Sequence, residues 1–332
     1  MEEKKEFKFS IVIPTLNEEK YLSRCVDSLL DQSYDPNLIE IVIVDGQSTD
    51  KTLEIISKYQ KNHNNIKLFE NPKKNTPISL NIGIKNSTGD VAVILGAHTK
   101  VCKDFVLLNN KYLHQKNVMV TGGTQINLGD TFMQRTVATI MEIPFAMASS
   151  QYRWHKKAQY VDTVVYAAYR KELFDELGYF EENFAISEDA EMNWRIRQAG
   201  YKIWYSPDIF TYYFARASIK KFIKQMFRYG ILRVNVLKKH SDAIKILHLV
   251  PPVFVITLIS LLIITINNHA LSFLLYTFLG LYFFVNIISV IKKIGIKKIL
   301  EVPIFSIIIF AMHFAWGSGF IIGAILPKSD KW

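Results

Sequence analysis

Four short apolar runs mark the N-terminal part of the chain: Lys8–Ile13 (KFSIVI), Ile39–Val44 (IEIVIV), Ile66–Phe69 and Val91–Leu95. They are rich in β-branched residues and do not alternate with polar ones, the pattern of strands buried on both faces. Between them the period changes. Leu22, Val26 and Leu29 share one helical face, with Asn17 placed to cap that helix and Glu18 and Glu19 suited to its first turn. The same spacing predicts a helix from about Lys51 to Lys61 and another over Ile78–Lys85. Buried strands alternating with helices predict a doubly wound, mostly parallel α/β sheet. Such a sheet binds its ligand at the carboxyl ends of its strands.

Beyond residue 215 the pattern is of another kind. Leu249–Ile266, Ala270–Ile291 and Val302–Leu326 contain no Lys, Arg, Asp or Glu, and each is near or above the ~18 residues that a membrane span needs. A soluble core helix of that length would show a polar stripe, and these runs have none. Pro303, His313, Gly317 and Gly319 leave a kinked or re-entrant third run open. Ahead of the first run, Ser218–Asn235 sets Ile219, Phe222, Ile223, Met226, Phe227 and Ile231 on one stripe, with Lys220, Lys221, Lys224, Arg228 and Arg233 mostly off it. This reads as a basic amphipathic helix resting in the interface against anionic membrane lipid. The resulting organisation is an α/β domain over 1–215, an interfacial region over 216–247 and a membrane region over 248–332.

Charge gives the orientation. Arg216 to Lys245 holds nine basic residues, Lys292, Lys293, Lys297 and Lys298 lie between the second and third runs, and the link Asn267-Asn268-His269 holds no Lys or Arg. Positive-inside then places the α/β domain and the Lys-rich loop in the cytoplasm of a multi-pass cell-membrane protein, with the C-terminal tail outside. Met1–Phe9, Glu/Lys-rich and without an apolar stretch, fits that side. The net charge of +10 is concentrated beside the membrane, so no nucleic-acid partner is expected. With 49% hydrophobic residues the chain is not disordered, and with Cys25 and Cys102 as its two cysteines it is no disulfide scaffold.

Polar residues gather where the strands end: Pro14-Thr15-Leu16-Asn17-Glu18 after the first, Asp45-Gly46-Gln47-Ser48-Thr49-Asp50 after the second, Gly96-Ala97-His98 after the fourth. No G-x-G-x-x-G follows the first strand and no G-x-x-x-x-G-K-[ST] occurs, so the usual phosphate cradles are missing. Asp45 and Asp50 suit either ligand binding or turn chemistry. Ser187-Glu188-Asp189 opens a helix that ends at Gly200, with Met192, Ile196 and Ala199 as its buried face and Ser187 as its cap. Its carboxylates suit either the helix dipole or a general base.

In this order the residues resemble the family 2 glycosyltransferases, inverting enzymes with a GT-A fold. The resemblance runs from about Phe9 to His240. It rests on Ile13-Pro14-Thr15-Leu16-Asn17-Glu18-Glu19, Val44-Asp45-Gly46-Gln47-Ser48-Thr49-Asp50-Lys51-Thr52, Ser79-Leu80-Asn81-Ile82-Gly83, Ser187-Glu188-Asp189 and Gln225-Met226-Phe227-Arg228-Tyr229. A narrower likeness to succinoglycan-type glucosyltransferases of exopolysaccharide assembly rests on Gly122-Gly123, Phe132-Met133-Gln134-Arg135, Val161-Asp162-Thr163-Val164 and Arg228-Tyr229-Gly230. The resemblance implies inverting transfer of a sugar from a nucleotide-sugar donor, UDP-linked, to a polyprenyl lipid-linked saccharide acceptor at the cytoplasmic membrane face. It further implies that Pro14, Thr15, Glu18, Asp45 and Asn81 hold the donor, with Thr15, Glu18 and Asp45 at its uridine. Asp189 would deprotonate the acceptor hydroxyl, Glu188 beside it would raise the pKa of Asp189, and Gln225 and Arg228 would clamp the diphosphate or the acceptor.

One departure stands out. The family's metal motif after the fourth strand is usually Asp-x-Asp, or Asp-Ala-His in the exopolysaccharide type, and here it is Gly96-Ala97-His98. His98 keeps one ligand for Mn²⁺ or Mg²⁺, imidazole suiting Mn²⁺ better, and the first carboxylate is gone. Weaker metal dependence, compensation by Arg228 and lysines, or loss of activity are the three alternatives. The last would leave a non-catalytic nucleotide-sugar-binding partner. Transfer to a polyprenyl monophosphate is a further alternative, opposed by the Gln225–Arg228 element.

Overall fold

The computed structural model describes residues 6–184, 188–214, 218–240 and 246–326. They group into two compact units. The first takes the chain up to Ile126 together with His155–Phe214, and the second takes Asn127–Trp154 and the chain beyond Phe214. Residues 127–154 thus leave the α/β domain, within which the continuous 1–215 division had placed them.

The first unit is built on β1 (Phe9–Thr15), β2 (Ile39–Asp45), β3 (Ile66–Glu70), β4 (Val91–Ile94), β5 (Thr99–Val101), β6 (Val120–Leu128), β7 (Gln159–Val161), β8 (Val165–Arg170) and β9 (Ile203–Phe214). Their order in the sheet is β3-β2-β1-β4-β8-β6-β9-β5, with β7 beside β9. β3, β2, β1 and β4 are parallel, because α1 (Leu22–Leu30), α2 (Thr52–Gln60) and α3 (Thr76–Lys85) make the crossovers between them. β8 then pairs antiparallel with β4 and with β6, and β5 and β7 antiparallel with β9. The sheet is therefore mixed, its parallel half being the one that the apolar runs announced. Ile11, Ile13, Ile41 and Ile43 are fully buried in one core with Leu22 and Val26, which is why these strands carry no alternation.

Helix starts differ from the sequence expectation. α1 opens at Leu22 without a side-chain cap, and Asn17 instead adopts a left-handed backbone (φ 56°), a conformation asparagine tolerates. α4 (Phe105–Gln115) and α6 (Glu172–Leu177) cover later strands, and α7 spans Glu188–Gln198. Ser187, the expected cap of α7, lies outside the described residues. Met192 and Ile196 are buried as the pattern implies, but Ala199 is exposed and Glu191 and Asn193 complete the inner face. α7 stops before Gly200, whose φ of 86° needs no Cβ.

The second unit holds α5 (Phe132–Ile140), α8 (Ile219–Lys239), α9 (Ile246–Asn267), α10 (Ser272–Ile294) and α11 (Val302–Ile325). A reciprocal box between Thr131 and Gln134 caps α5. Among the described residues, α9, α10 and α11, counted with their flanking turns, are the three helices long and apolar enough to cross a membrane. α11 is uninterrupted, and Pro303 sits in its first turn, where proline is tolerated. The kinked or re-entrant reading of this run falls. Its glycines serve packing instead: a Cβ at Gly319 would stand 2.1 Å from the Phe227 carbonyl oxygen, and one at Gly230 2.1 Å from that of Trp316. α8 therefore presses backbone to backbone along α11, burying Phe222, Met226 and Ile231. Lys238 Nζ donates to the carbonyls of Gly323 and Leu326 at 2.8 and 2.7 Å, a cation closing a helix C-terminus. This sets the ends of α8 and α11 side by side. Residues 127–154 are tied to the same bundle by Glu142 with Lys293 at 2.7 Å and by the Ala146 carbonyl, 3.2 Å from His313 Nε2.

Candidate active site

Thr15 and Asp45 are register partners at the ends of β1 and β2, and both are buried. Asp45 Oδ2 accepts from the Ser48 N–H at 2.8 Å and Oδ1 from the Ser48 hydroxyl at 2.6 Å, folding the following turn back over the strand end. The segment after β1 is stitched to that turn. The Asn17 N–H donates to Ser48 Oγ at 2.8 Å and the Thr49 N–H to Asn17 Oδ1 at 2.8 Å. The Glu18 N–H donates to Thr52 Oγ1 at 2.9 Å and the Glu19 N–H to Asp50 Oδ2 at 3.2 Å. The two sequence motifs are thus one rim. Asp50 also accepts from the Thr52 N–H at 3.0 Å, at the start of α2. What little burial it has opposes ionisation, but the hydrogen bonds from Thr52 and Glu19 outweigh it and hold the Asp50 carboxyl below the usual carboxylate range. Turn chemistry accounts for Asp50.

Pro14 pairs with Val44 one step back from this rim. Asn81 lies elsewhere: its Nδ2 donates to the Phe180 carbonyl at 2.8 Å and its Oδ1 accepts from the Phe180 N–H at 2.9 Å. With both ends of a buried amide occupied, Asn81 clamps α3 to the chain leading to α7.

Glu18 and His98 meet at the end of the fourth strand, with His98 Nδ1 3.1 Å from Glu18 Oε1. A carboxylate only accepts, so the partner assigns the proton to Nδ1 and leaves Nε2 as the lone-pair nitrogen. That is how a carboxylate orients a metal-ligating histidine. The donor set is otherwise thin: among the described residues, no group of three or more His, Cys, Asp or Glu is placed to hold a metal ion. His98, oriented by Glu18, fits a cation as a single protein ligand. At Gly96 the nearest atoms to a Cβ would be those of Tyr166 at 3.6 Å and His98 at 3.8 Å, ordinary van der Waals contacts, so the position has room for a Cβ.

Glu188 and Asp189 start α7. Asp189 Oδ1 accepts from the Ala190 N–H at 2.7 Å. Burial, and then the charge of Asp189, push the Glu188 carboxyl up to about 8. Beneath them, the fully buried Glu191 pairs with Arg195 at 2.9 Å, and Arg195 also donates to the carbonyls of Leu177, Gly178 and Tyr179. Asn193 accepts from the Tyr169 hydroxyl at 3.2 Å and donates to Thr163 Oγ1 at 2.9 Å. These residues fix where the acidic turn sits, and sequence reasoning did not single them out. The i, i+4 spacing of Glu191 and Arg195 was the available signal. Asp162 lies 3.8 Å from Arg197 in an exposed ion pair, and Trp204 is a core residue under Lys116.

Gln225 and Arg228 belong to α8 of the second unit. Gln225 Nε2 donates to the Tyr229 hydroxyl at 2.7 Å, and Arg228 Nε is buried without a hydrogen-bond partner among the described residues.

A parallel half whose strand ends form one rim, extended by antiparallel strands and an acidic helix start, is the GT-A architecture of glycosyltransferases. Residues 10–178 match Glycosyl transferase family 2, and the chain belongs to that family. It is 35% identical over 263 residues to a dolichyl N-acetyl-α-D-glucosaminyl phosphate 3-β-D-2,3-diacetamido-2,3-dideoxy-β-D-glucuronosyltransferase of Methanococcus voltae, covering 76% of this chain and 81% of that protein. It is 26% identical to the succinoglycan biosynthesis protein ExoA of Rhizobium meliloti, covering 69% of this chain and 70% of that one. Among solved structures, mannosyltransferase PcManGT from Pyrobaculum calidifontis, in complex with GDP-Man and Mn²⁺, superposes with a TM-score of 0.63 at 18% identity, covering 93% of this chain and 86% of that one.

Proposed function

We propose that this glycosyltransferase moves a sugar, with inversion, from a UDP-linked donor to a polyprenyl lipid-linked saccharide at the cytoplasmic face of the membrane, in cell-surface or exopolysaccharide assembly. The observation that carries the reading is the Glu188–Asp189 pair, two adjacent carboxyls in the first turn of α7, with Glu188 pushed up to about 8 by burial and by the charge of Asp189. In-line displacement at the anomeric carbon needs one base, and two carboxylates flanking the sugar would instead suit a retaining hydrolase. Asp189 takes the proton of the acceptor hydroxyl, and protonated Glu188 donates a hydrogen bond in the acceptor site without adding charge.

Thr15 and Asp45 hold the uridine against the strand ends, with Pro14 and Glu18 shaping the same rim. Gln225 and Arg228 would clamp the diphosphate or the acceptor, a guanidinium fork being suited to phosphate. A divalent cation held by His98, Mn²⁺ in preference to Mg²⁺, would offset charge on the leaving diphosphate. The three apolar helices, and a relative whose name specifies a dolichyl phosphate-linked N-acetylglucosamine acceptor, support a membrane-bound substrate. The bases of α8 and Lys292–Lys298 support the cytoplasmic side.

The open position at Gly96 favours a second reading, a protein that binds nucleotide sugar without transferring it. UDP release by the lipid-reconstituted chain separates the two, tested with UDP-hexoses, UDP-uronates, polyprenyl phosphate and polyprenyl-linked saccharides. Release that requires a saccharide-bearing lipid supports transfer. UDP binding with no release from any donor supports the second reading, and release onto polyprenyl phosphate alone would move the acceptor to the monophosphate.

A further inference from the structure

Tyr166 has a backbone no aromatic residue adopts without support, with φ at +50°. The sheet forces it there. Between the pairs Thr121–Ala168 and Gly123–Val165, β6 advances two residues while β8 advances three, so β8 carries an extra residue, a bulge. Gly122 presses on this stretch, where a Cβ would stand 2.8 Å from Val164 Cβ, and Gly123 presses on β9, where one would stand 1.7 Å from the Ile209 carbonyl oxygen. Neither position accepts a side chain. β8 runs beside β4, with Ala168 opposite Val93, so a bulge two residues before Ala168 lies past the end of β4. The Tyr166 ring packs on the main core, and its hydroxyl comes to 3.6 Å from where a Gly96 Cβ would be, next to His98 Cε1 at 3.8 Å from the same point.

We propose that the β8 bulge delivers the Tyr166 hydroxyl into the place left by the missing carboxylate at Gly96, making Tyr166 a donor-binding residue that hydrogen-bonds the diphosphate directly. This rests on the nucleotide-sugar reading above. The chemistry of the exchange is specific. A carboxylate only accepts hydrogen bonds, so it reaches a diphosphate through a cation, whereas a phenol is an uncharged donor that meets a phosphate oxygen without one. A strained, well-supported residue aimed at a strand end is where functional strain is found, and an aspartate at Gly96 would compete with the phenol for one space.

The test is binding of UDP and of uridine by the full chain in lipid nanodiscs, in EDTA, for wild type, Tyr166→Phe and Tyr166→Gly. Tyr166→Phe keeps the ring and is expected to weaken UDP roughly tenfold or more, the scale of one hydrogen bond to a charged group, with uridine affinity unchanged. Tyr166→Gly relieves the backbone but removes a ring packed on the core, so it is expected to melt below wild type and to lose UDP affinity alike. Equal UDP affinity in wild type and Tyr166→Phe, or parallel loss of UDP and uridine, overturns the assignment and leaves the nucleotide-sugar reading standing. Failure of wild type to bind UDP with or without Mn²⁺ overturns that reading and this assignment together.

Discussion

The two acidic clusters of the first unit look alike in sequence and are opposites in structure. Asp45 and Asp50 sit in a turn whose hydroxyls and N–H groups satisfy them, and the hydrogen bonds on Asp50 favour its ionised form. Glu188 and Asp189 open a helix, where Glu188 is desolvated beside a second carboxylate and keeps its proton up to about 8. A carboxylate whose lone pairs are spent on its own backbone builds a wall. A carboxyl desolvated beside a second carboxylate has proton affinity left for chemistry.

The hardest strike at this contrast is Asp189→Asn, expected to lower kcat by roughly 10²–10⁴-fold, the scale of a general base, with UDP affinity retained. Calorimetric UDP binding beside turnover reads both. Arg195→Ala is expected to cost about 3–5 kcal/mol, because it strands the buried Glu191 charge. Thermal unfolding in nanodiscs measures it, and an apolar pair of similar volume at 191 and 195 should recover most of the loss.

A pH series sharpens the comparison further. Folded Glu188 holds its proton to about 8 and an ordinary glutamate to about 4.5, so between those values the folded state binds more protons and stability falls as pH rises. Glu188→Gln should flatten the unfolding midpoint over that window. It should also remove the fall in kcat above about pH 8 that a second negative charge beside Asp189 produces. The smallest effect belongs to Asp50→Ala, about 1 kcal/mol of stability for lost turn hydrogen bonds, with the KM for donor within twofold of wild type. A tenfold rise in that KM would make Asp50 a ligand and dissolve the contrast.

Much of the parallel half was legible because its code is local. Ile11, Ile13, Ile41 and Ile43 announce buried strands by themselves, and the polar residues after them must fall at the carboxyl ends. Asn17 misled because its side chain bonds to a turn more than thirty residues away, a partner that helix-start rules do not see. Ala199 was taken for an inner-face residue because periodicity has no way to know that Glu191 comes with Arg195 and is buried as a pair. α8 reads as an amphipathic interfacial helix, and its close packing on α11 through Gly230, Gly319 and Gly323 was not announced by its stripe. Tyr166 was out of reach, since a bulge is set by two other strands and leaves no periodic trace.

The central claim is a single displacement assisted by one base, and the anomeric configuration of the product tests it most directly. With the donor identified by UDP release, proton NMR of the glycosylated lipid headgroup reads the new linkage. Inversion relative to the donor is the predicted result. Retention would contradict the account, because it requires a second nucleophilic group and a covalent or equivalent intermediate that the Glu188–Asp189 pair is not built to supply.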